Sequence, residues 1–398
     1  MGPAERPEWP STLDVDALLL GGWRPEPFHE FVVKVHSRCD LACDYCYMYE
    51  MADQSWRDQP MRMSGETAAA TAFRIGEHVR AHNVPDISLI LHGGEPLLAG
   101  RDLIAQLVGA TREAVDAKVN VSVWVQTNGV GLSEPFLDLF DDLGVQVGVS
   151  LDGAPEAHDR HRRFASGRGS HRAVATGLER LTGDRYRHLF SGLLCTIDLR
   201  NDPLATYQAL ASFDPPQIDF LMPHGTWADP PPGRIPDLPD TPYAGWLITV
   251  FDHWYHEFKT RIRLFDTIMR LAMGHDVEAE MVGLGPSRTL VIETDGSIEQ
   301  SDLLKAAYEG APATGLHVGH HPFDQALYLP GMVARQLGEQ ALAPKCRQCH
   351  VLHECGGGLY AHRYRPGSGF ANPSVYCPDL MALIDHIKLV VDDDLSRR

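Results

Sequence analysis

Short apolar runs alternate along the chain with longer segments whose apolar positions recur at helical spacing. Phe31 to Val35, Ile87 to Leu91, Val119 to Val125, Val145 to Val149, His188 to Ile197 and Ile218 to Met222 predict strands. Between them, Glu66 to His82, Leu103 to Ala117, Glu134 to Asp142, His171 to Leu181 and Pro203 to Ser212 predict helices. Strand and helix taken in turn imply parallel strands joined by crossover helices. Six such units suit a partial (β/α)6 barrel of the TIM type better than an open sheet. In either arrangement, chemistry belongs at the carboxyl ends of the strands. The alternation stops at the proline-rich stretch Asp229 to Pro242, expected as a linker or covering loop and a possible lid. Trp246, Val250, Trp254 and Phe258 recur every four residues and predict an amphipathic helix docked on the core. Beyond about Gly283 a hairpin is expected over Thr289 to Ile298, turning at Asp295-Gly296, followed by a loop-rich tail. A last amphipathic helix, Asp379 to Val391, carries Leu380, Leu383, Ile384 and Ile387 on one face. The expected division is an N-terminal extension (1–28), the α/β barrel (29–228), linker and bridging helices (229–282) and a loop-rich, His- and Cys-rich tail (283–398).

At 398 residues, 44% of them hydrophobic, the chain exceeds one small core and suits a large domain with an appended one. Lys and Arg number 35 against 53 Asp and Glu, and a net charge of -18 argues against a binder that tracks nucleic-acid phosphates. No run approaches the roughly 20 apolar residues of a membrane span. Met1 to Pro10 has neither the basic nor the apolar region of a signal peptide. The expected compartment is the cytoplasm, with no membrane or nucleic-acid partner. In that compartment eight cysteines are not expected to pair as disulfides.

Their spacing suggests a different use. Cys39, Cys43 and Cys46 form C-x3-C-x2-C, and three thiolates on one loop can hold three corners of an iron–sulfur cubane, leaving one iron open to a small molecule. Zinc with His36 or Asp40 as fourth ligand also satisfies the spacing. Cys346, Cys349, Cys355 and Cys377 offer four thiolates, enough to saturate a cluster or a zinc ion, with His350, His353 and His362 as spare ligands. Cys195, alone in the apolar run Leu193 to Ile197, reads as core packing.

With Tyr45 just before its last cysteine, the first set resembles the C-x3-C-x-aromatic-C signature of radical S-adenosylmethionine (SAM) enzymes. Further matches follow in order at strand ends: Gly93-Gly94-Glu95-Pro96, Gln126-Thr127-Asn128-Gly129, and Ser150-Leu151-Asp152-Gly153 with His158, Asp159 and Arg162 beyond. The resemblance implies a radical SAM barrel in which a [4Fe-4S] cluster on Cys39, Cys43 and Cys46 chelates SAM. SAM is then cleaved to methionine and a 5′-deoxyadenosyl radical that abstracts hydrogen from carbon. It implies that Tyr45 packs near the adenine and that Glu95 meets the SAM ammonium group. Ser150, Asp152 and Arg162 would serve the ribose and carboxylate, with Arg160 and Arg163 close enough to compete for the last role.

The second set resembles the C-terminal half of the SPASM domain, implying one auxiliary [4Fe-4S] cluster on Cys346, Cys349, Cys355 and Cys377. Where that family places ligands of an inner cluster, this chain has Leu359 and Ser301, so the inner cluster is expected to be missing. In sulfatase maturases the acid after that upstream cysteine is the base. Its match is Asp302, the nominated proton acceptor, whose pKa partial burial would raise. The wording His92 to Leu98 and Glu293 to Ser297 resembles the FxsB-type branch. That branch implies a maturase joining side chains of a ribosomal precursor peptide into a cyclophane-type ring, fed by a flavodoxin- or ferredoxin-type electron donor. Alternatives from the same parts are a formylglycine-generating sulfatase maturase and a radical epimerase with Cys195 as hydrogen donor. From another class comes a zinc-stabilised binding module without catalysis.

Overall fold

A computed structural model describes residues 8–277 and 279–397. Residues 1–7, with Pro3, Pro7 and most of the stretch tested for a signal peptide, lie outside them. Ten strands form one sheet: β1 (Glu30–His36), β2 (Asp86–Gly93), β3 (Asn120–Thr127), β4 (Val145–Ser150), β5 (Phe190–Thr196), β6 (Gln217–Leu221), β7 (Arg261–Ile262), β8 (Thr289–Ile292), β9 (Ser297–Glu299) and β10 (Ala313–His317). Their order is β10-β9-β8-β1-β2-β3-β4-β5-β6-β7, so the sheet stays open between β7 and β10. From β8 to β7 every pairing is parallel. This is the expected α/β run of six units with a further strand on either side.

The helices form where capping and periodicity agree. Ser64 caps Gly65–His82 by accepting from the Thr67 N–H at 3.0 Å, and Asn83 closes it in the left-handed conformation. That helix buries Ala68, Ala72, Ile75 and Val79 against Arg101–Ala114, which buries Leu103, Ile104, Leu107 and Val108. Burying each such Leu, Ile or Val contributes about 1.5–3 kcal/mol. At the far end, Cys377–Ser396 packs Leu380, Leu383, Ile384 and Ile387 inward against Pro242–Glu257. The two are pinned at their starts, where Asp379 Oδ1 accepts from the N–H groups of Tyr243 (2.8 Å) and Ala244 (3.0 Å).

Four features depart from expectation. The hairpin is not confined to the tail: β8 pairs in parallel with β1, Phe31 opposite Leu290 and Val33 opposite Ile292. All four residues of β8 are buried, so it covers an edge that β1 would otherwise expose. Phe258 lies off the helix face; it sits in the left-handed conformation after Glu257, 61% exposed, with its ring against Trp254. The proline-rich stretch does not cover the mouth of the barrel, because Asp237, Leu238 and Pro239 line the cavity of the second cysteine set. Val15–Leu20, within the expected extension, is an unforeseen helix capped by Asp14. Among the described residues no helix is long and apolar enough to cross a membrane.

Candidate functional site

β1 hands over at His36 to the loop that carries Cys39, Cys43 and Cys46. The end of β2 runs directly beneath this loop: the Gly94 N–H donates to the His36 carbonyl (2.8 Å) and the Glu95 N–H to that of Arg38 (3.0 Å). A Cβ on Gly93 would lie 2.1 Å from the His36 oxygen, and one on Gly94 1.9 Å from Tyr49 Oη and 2.5 Å from the Arg38 oxygen. Gly93 also has φ +144°. Glycine is required here because two backbones touch.

A cavity of about 730 Å³ opens at these strand ends, lined by Cys39, Cys43, Tyr45, Cys46, Gly93, Gly94, Asn128, Ser150 and Arg162. The residues expected at the cluster and SAM thus converge, with three exceptions. Pro96 is buried where it starts a short 3-10 turn. Glu95, 1% exposed, lies just behind the wall, its Oε1 accepting from Thr127 Oγ1 (2.7 Å) and the Leu97 N–H (3.0 Å) and its Oε2 from the Asn128 N–H (2.8 Å). Burial pushes its pKa to about 7 despite these donors, and Oε2 keeps one acceptor position for a further donor. Asp152 also lies behind the wall, accepting from the Thr196 N–H (3.0 Å) and the Tyr45 hydroxyl, so it reaches the cavity through Tyr45.

The arginines are distinguished by their partners. Arg160 binds Asp198 and Asn201, and Arg163 donates to the Asp159 carbonyl. Arg162 lines the cavity, donates to Tyr45 Oη at 2.9 Å and leaves its buried Nε without a partner. A buried guanidinium N–H with no acceptor suits a ligand carboxylate.

The opposite wall was largely missed. Tyr47 lines the cavity and donates to Asp302 Oδ2 at 3.0 Å, while His92 Nδ1, buried without a hydrogen bond, lies 3.9 Å from the same oxygen. His224 stands edge-on to Tyr47 and shares a 3.3 Å contact with His362. Burial holds all three histidines below their ordinary pKa, His224 at about 4, so they are neutral. Asp302, the nominated proton acceptor, is also outside the cavity lining, behind Tyr47, and it corrects the expectation of a raised pKa. Burial works upward, but Lys34, His92, Tyr47 and Lys305 outweigh it and hold the carboxyl below its usual range. Behind it lies a buried network: Lys34 Nζ meets Glu293 (2.8 Å) and Glu299 (3.4 Å), and Lys305 Nζ meets Asp53 (3.1 Å), Glu299 (3.1 Å) and Glu293 (3.4 Å). The available signals were a lysine inside an apolar strand and polar residues adjoining the motifs (Tyr47 after Cys46, His92 before Gly93).

A second cavity of about 670 Å³ is lined by Cys346, Cys349, Cys355 and Cys377. All eight cysteines are free thiols. Burial raises Cys43 to about 11 and Cys355 to about 12, a penalty on thiolate that a bound metal centre removes. Zinc ligands at about 2.3 Å bring sulfurs within roughly 4 Å of one another. Among the described residues the only set of three such ligand atoms within 4.8 Å is His78, His82 and Asp324, so both cysteine sets are spread more widely than one zinc ion permits. Two of the three spare histidines are engaged elsewhere, His350 on Asp385 and His362 against His224. Both sets fit the larger iron–sulfur core. Cys195 does not face the site: Leu194 and Thr196 line the cavity, whereas the Cys195 side chain, 1% exposed, packs in the core. Ser301 and Leu359 line the first cavity, and with three, four and one cysteines accounted for, none remains for an inner cluster.

Fold and site together resemble those of radical SAM enzymes, a class that uses a [4Fe-4S] cluster and SAM. Residues 33–195 match the family profile described as the Radical SAM superfamily. Over 393 residues the chain is 22% identical to a serine-type anaerobic sulfatase-maturating enzyme of Bacteroides thetaiotaomicron, covering 92% of this chain and 91% of that one. A cysteine-type anaerobic sulfatase-maturating enzyme of Clostridium novyi is 26% identical over 277 residues, 67% of this chain and 71% of the relative. The solved structure of native anSMEcpe with bound AdoMet and Cp18Cys peptide superposes with a TM-score of 0.77 at 20% identity, over 94% of this chain and all of that one. These relatives correct the expected function. Crosslinking of a precursor peptide into a cyclophane ring is overturned in favour of the maturase alternative, and the FxsB-type branch finds no support among them.

Proposed function

We propose that the chain oxidises the Cβ of a serine or cysteine in a protein substrate to the aldehyde of formylglycine. The observation that carries the reading is Asp302, ionised and hydrogen-bonded to Tyr47, which lines one cavity together with Cys39, Cys43 and Cys46. When bound, the cluster and SAM supply the acceptor of the Cβ hydrogen atom. Loss of that hydrogen makes the neighbouring O–H or S–H far more acidic, so a low-pKa carboxylate suffices to take the proton. Tyr47 holds the carboxylate in place by its hydrogen bond, and Lys34 keeps it ionised. One hydrogen atom, one proton and one electron leave. Serine then gives the aldehyde directly, and cysteine gives a thioaldehyde that water converts with release of hydrogen sulfide. The four-cysteine site is the built place for the departing electron.

In this reading Arg162 Nε answers the SAM carboxylate, Glu95 its ammonium group, and Tyr45, braced by Asp152, packs at the adenine. The peptide partner rests on the peptide-bound neighbour. A flavodoxin- or ferredoxin-type donor and a cytoplasmic setting complete the proposal.

The test is anaerobic turnover of sulfatase-derived peptides carrying serine or cysteine, with SAM and reductant. A product common to both peptides, lighter than the serine peptide by two hydrogens and reactive towards hydrazide, is expected. A crosslinked product inert to hydrazide, or deuterium gained from solvent without loss of mass, overturns the reading.

A further inference from the structure

Arg363 follows Cys355 after the turn Gly356-Gly357-Gly358 and is 8% exposed. Its guanidinium is wrapped by that turn: Nε donates to the Gly357 and Gly358 carbonyls (3.2 Å each), and Nη2 to those of Gly356 (2.7 Å) and Gly358 (2.6 Å). All three glycines have positive φ, and a Cβ on Gly357 would lie 3.1 Å from Arg363 Cζ. Among the described residues no carboxylate pairs with this cation; burial holds its pKa below the ordinary range, against Tyr360, Cys355 and Cys346, which work upward. Arg363 and Gly356 line the first cavity, while Gly357 and Cys355 line the second, so the side chain stands in the wall between them. Two other cations lie near the same cysteines. Lys345 is exposed, and Arg234 is already paired with Asp379 at 3.4 Å.

A buried cation with no anion is costly, and three consecutive left-handed glycines are an unusual framework to build around one. A [4Fe-4S] core with four thiolates carries net negative charge in both redox states, more of it when reduced. We propose that Arg363 is the counter-charge of the four-cysteine cluster and raises its reduction potential on the side facing the substrate. The inference rests on the reading that these cysteines hold an iron–sulfur cluster. A fixed charge in a low-dielectric wall favours the more negative state, and net charge and hydrogen bonding set cluster potentials. An exposed lysine is screened by water and salt.

The test compares full-length wild type, Arg363→Gln and Arg363→Lys, each carrying Cys39→Ala, Cys43→Ala and Cys46→Ala so that only the second site reports. Iron, sulfide and zinc are counted first, and the cluster is then titrated by EPR at set potentials. The Gln variant is expected to shift its reduction equilibrium at least tenfold towards the oxidised form, about 59 mV for one electron. The Lys variant, which keeps the charge, should shift less than half as far. Loss of iron from the Gln variant alone supports the same conclusion. Equal shifts in both variants, loss of iron from both, or no shift in either overturns it. Zinc in place of iron in the parent protein would instead remove the underlying cluster reading.

Discussion

Lys34→Met tests whether the buried charges behind Asp302 hold barrel and tail together. Lys34 is fully buried on β1, with Nζ 2.8 Å from Glu293 and 3.4 Å from Glu299, both on the β8–β9 hairpin or its turn. Methionine keeps the volume but leaves Lys305 alone to face Glu293, Glu299 and Asp53. Removing one partner of a buried ion pair costs about 3–5 kcal/mol, which lowers the folding constant by two to nearly four powers of ten. The assay is anaerobic urea unfolding followed by tryptophan fluorescence, in which the midpoint should fall with little change in slope. Lys34 holds Glu293 and Asp302 below their ordinary pKa. In wild type this contributes stability that is present at neutral pH and fades only as pH falls through the folded values. In the variant these carboxyls take up protons at higher pH, so the gap to wild type should narrow between pH 8 and pH 5.5. Adding Glu293→Gln should recover part of the loss. A loss below about 1 kcal/mol, or a gap independent of pH, refutes the reasoning.

Asp302→Asn should reduce peptide oxidation by about 10²–10⁴-fold while iron content and peptide-independent SAM cleavage stay at wild-type levels; oxidation at the normal rate removes Asp302 as the proton acceptor. Gly94→Ala must displace Tyr49 or the Arg38 carbonyl, which would lie 1.9 and 2.5 Å from the new Cβ. It should lower turnover by about 10²-fold, and an unchanged rate with full iron would show that the loop yields freely. On pH, His158 and His224 are pushed by burial to about 2 and about 4, and His78, His92, His171 and His362 are also lowered. The unfolded chain therefore binds more protons than the fold below about pH 6.5, and stability should rise from pH 5 to 6.5. Glu95 and Glu299, both raised to about 7, and Asp152 and Asp379, also raised by burial, oppose this but are outnumbered by the six histidines. A urea midpoint that falls over this window contradicts the assignment.

The parts of the molecule legible in sequence are those with local signals. His171–Leu181 matches its predicted bounds, and the six strands fall within three residues of theirs. The cysteine loop and Gly93-Gly94 could be read because their chemistry is contiguous in sequence. Asp302 could be nominated only by resemblance, and the direction of its pKa could not be foreseen, because Lys34 lies 268 positions away along the chain and meets it only through the β1–β8 pairing. The same holds for His224 and His362, which meet across 138 residues. The side to which Cys195 points was readable from alternation alone once Leu194 and Thr196 were assigned to the cavity. The short stretches His92 to Leu98 and Glu293 to Ser297 point to the FxsB-type branch, whereas the likeness along the whole chain is to sulfatase-maturating enzymes.

The parallel pairing of β8 with β1 limits how this protein can be recombined. A graft cut near residue 282, between the proposed barrel and tail, would leave β1 with a bare edge and Lys34 with no carboxylate from the hairpin, while the incoming tail would bring a β8 unmatched to its neighbour. A transplant that changes substrate preference should leave residues 289–306 with the barrel and exchange only the chain beyond residue 306. In that sense the inheritable unit of catalysis includes a strap from the tail, and swapping experiments that respect it should give folded hybrids where cuts at the apparent boundary do not.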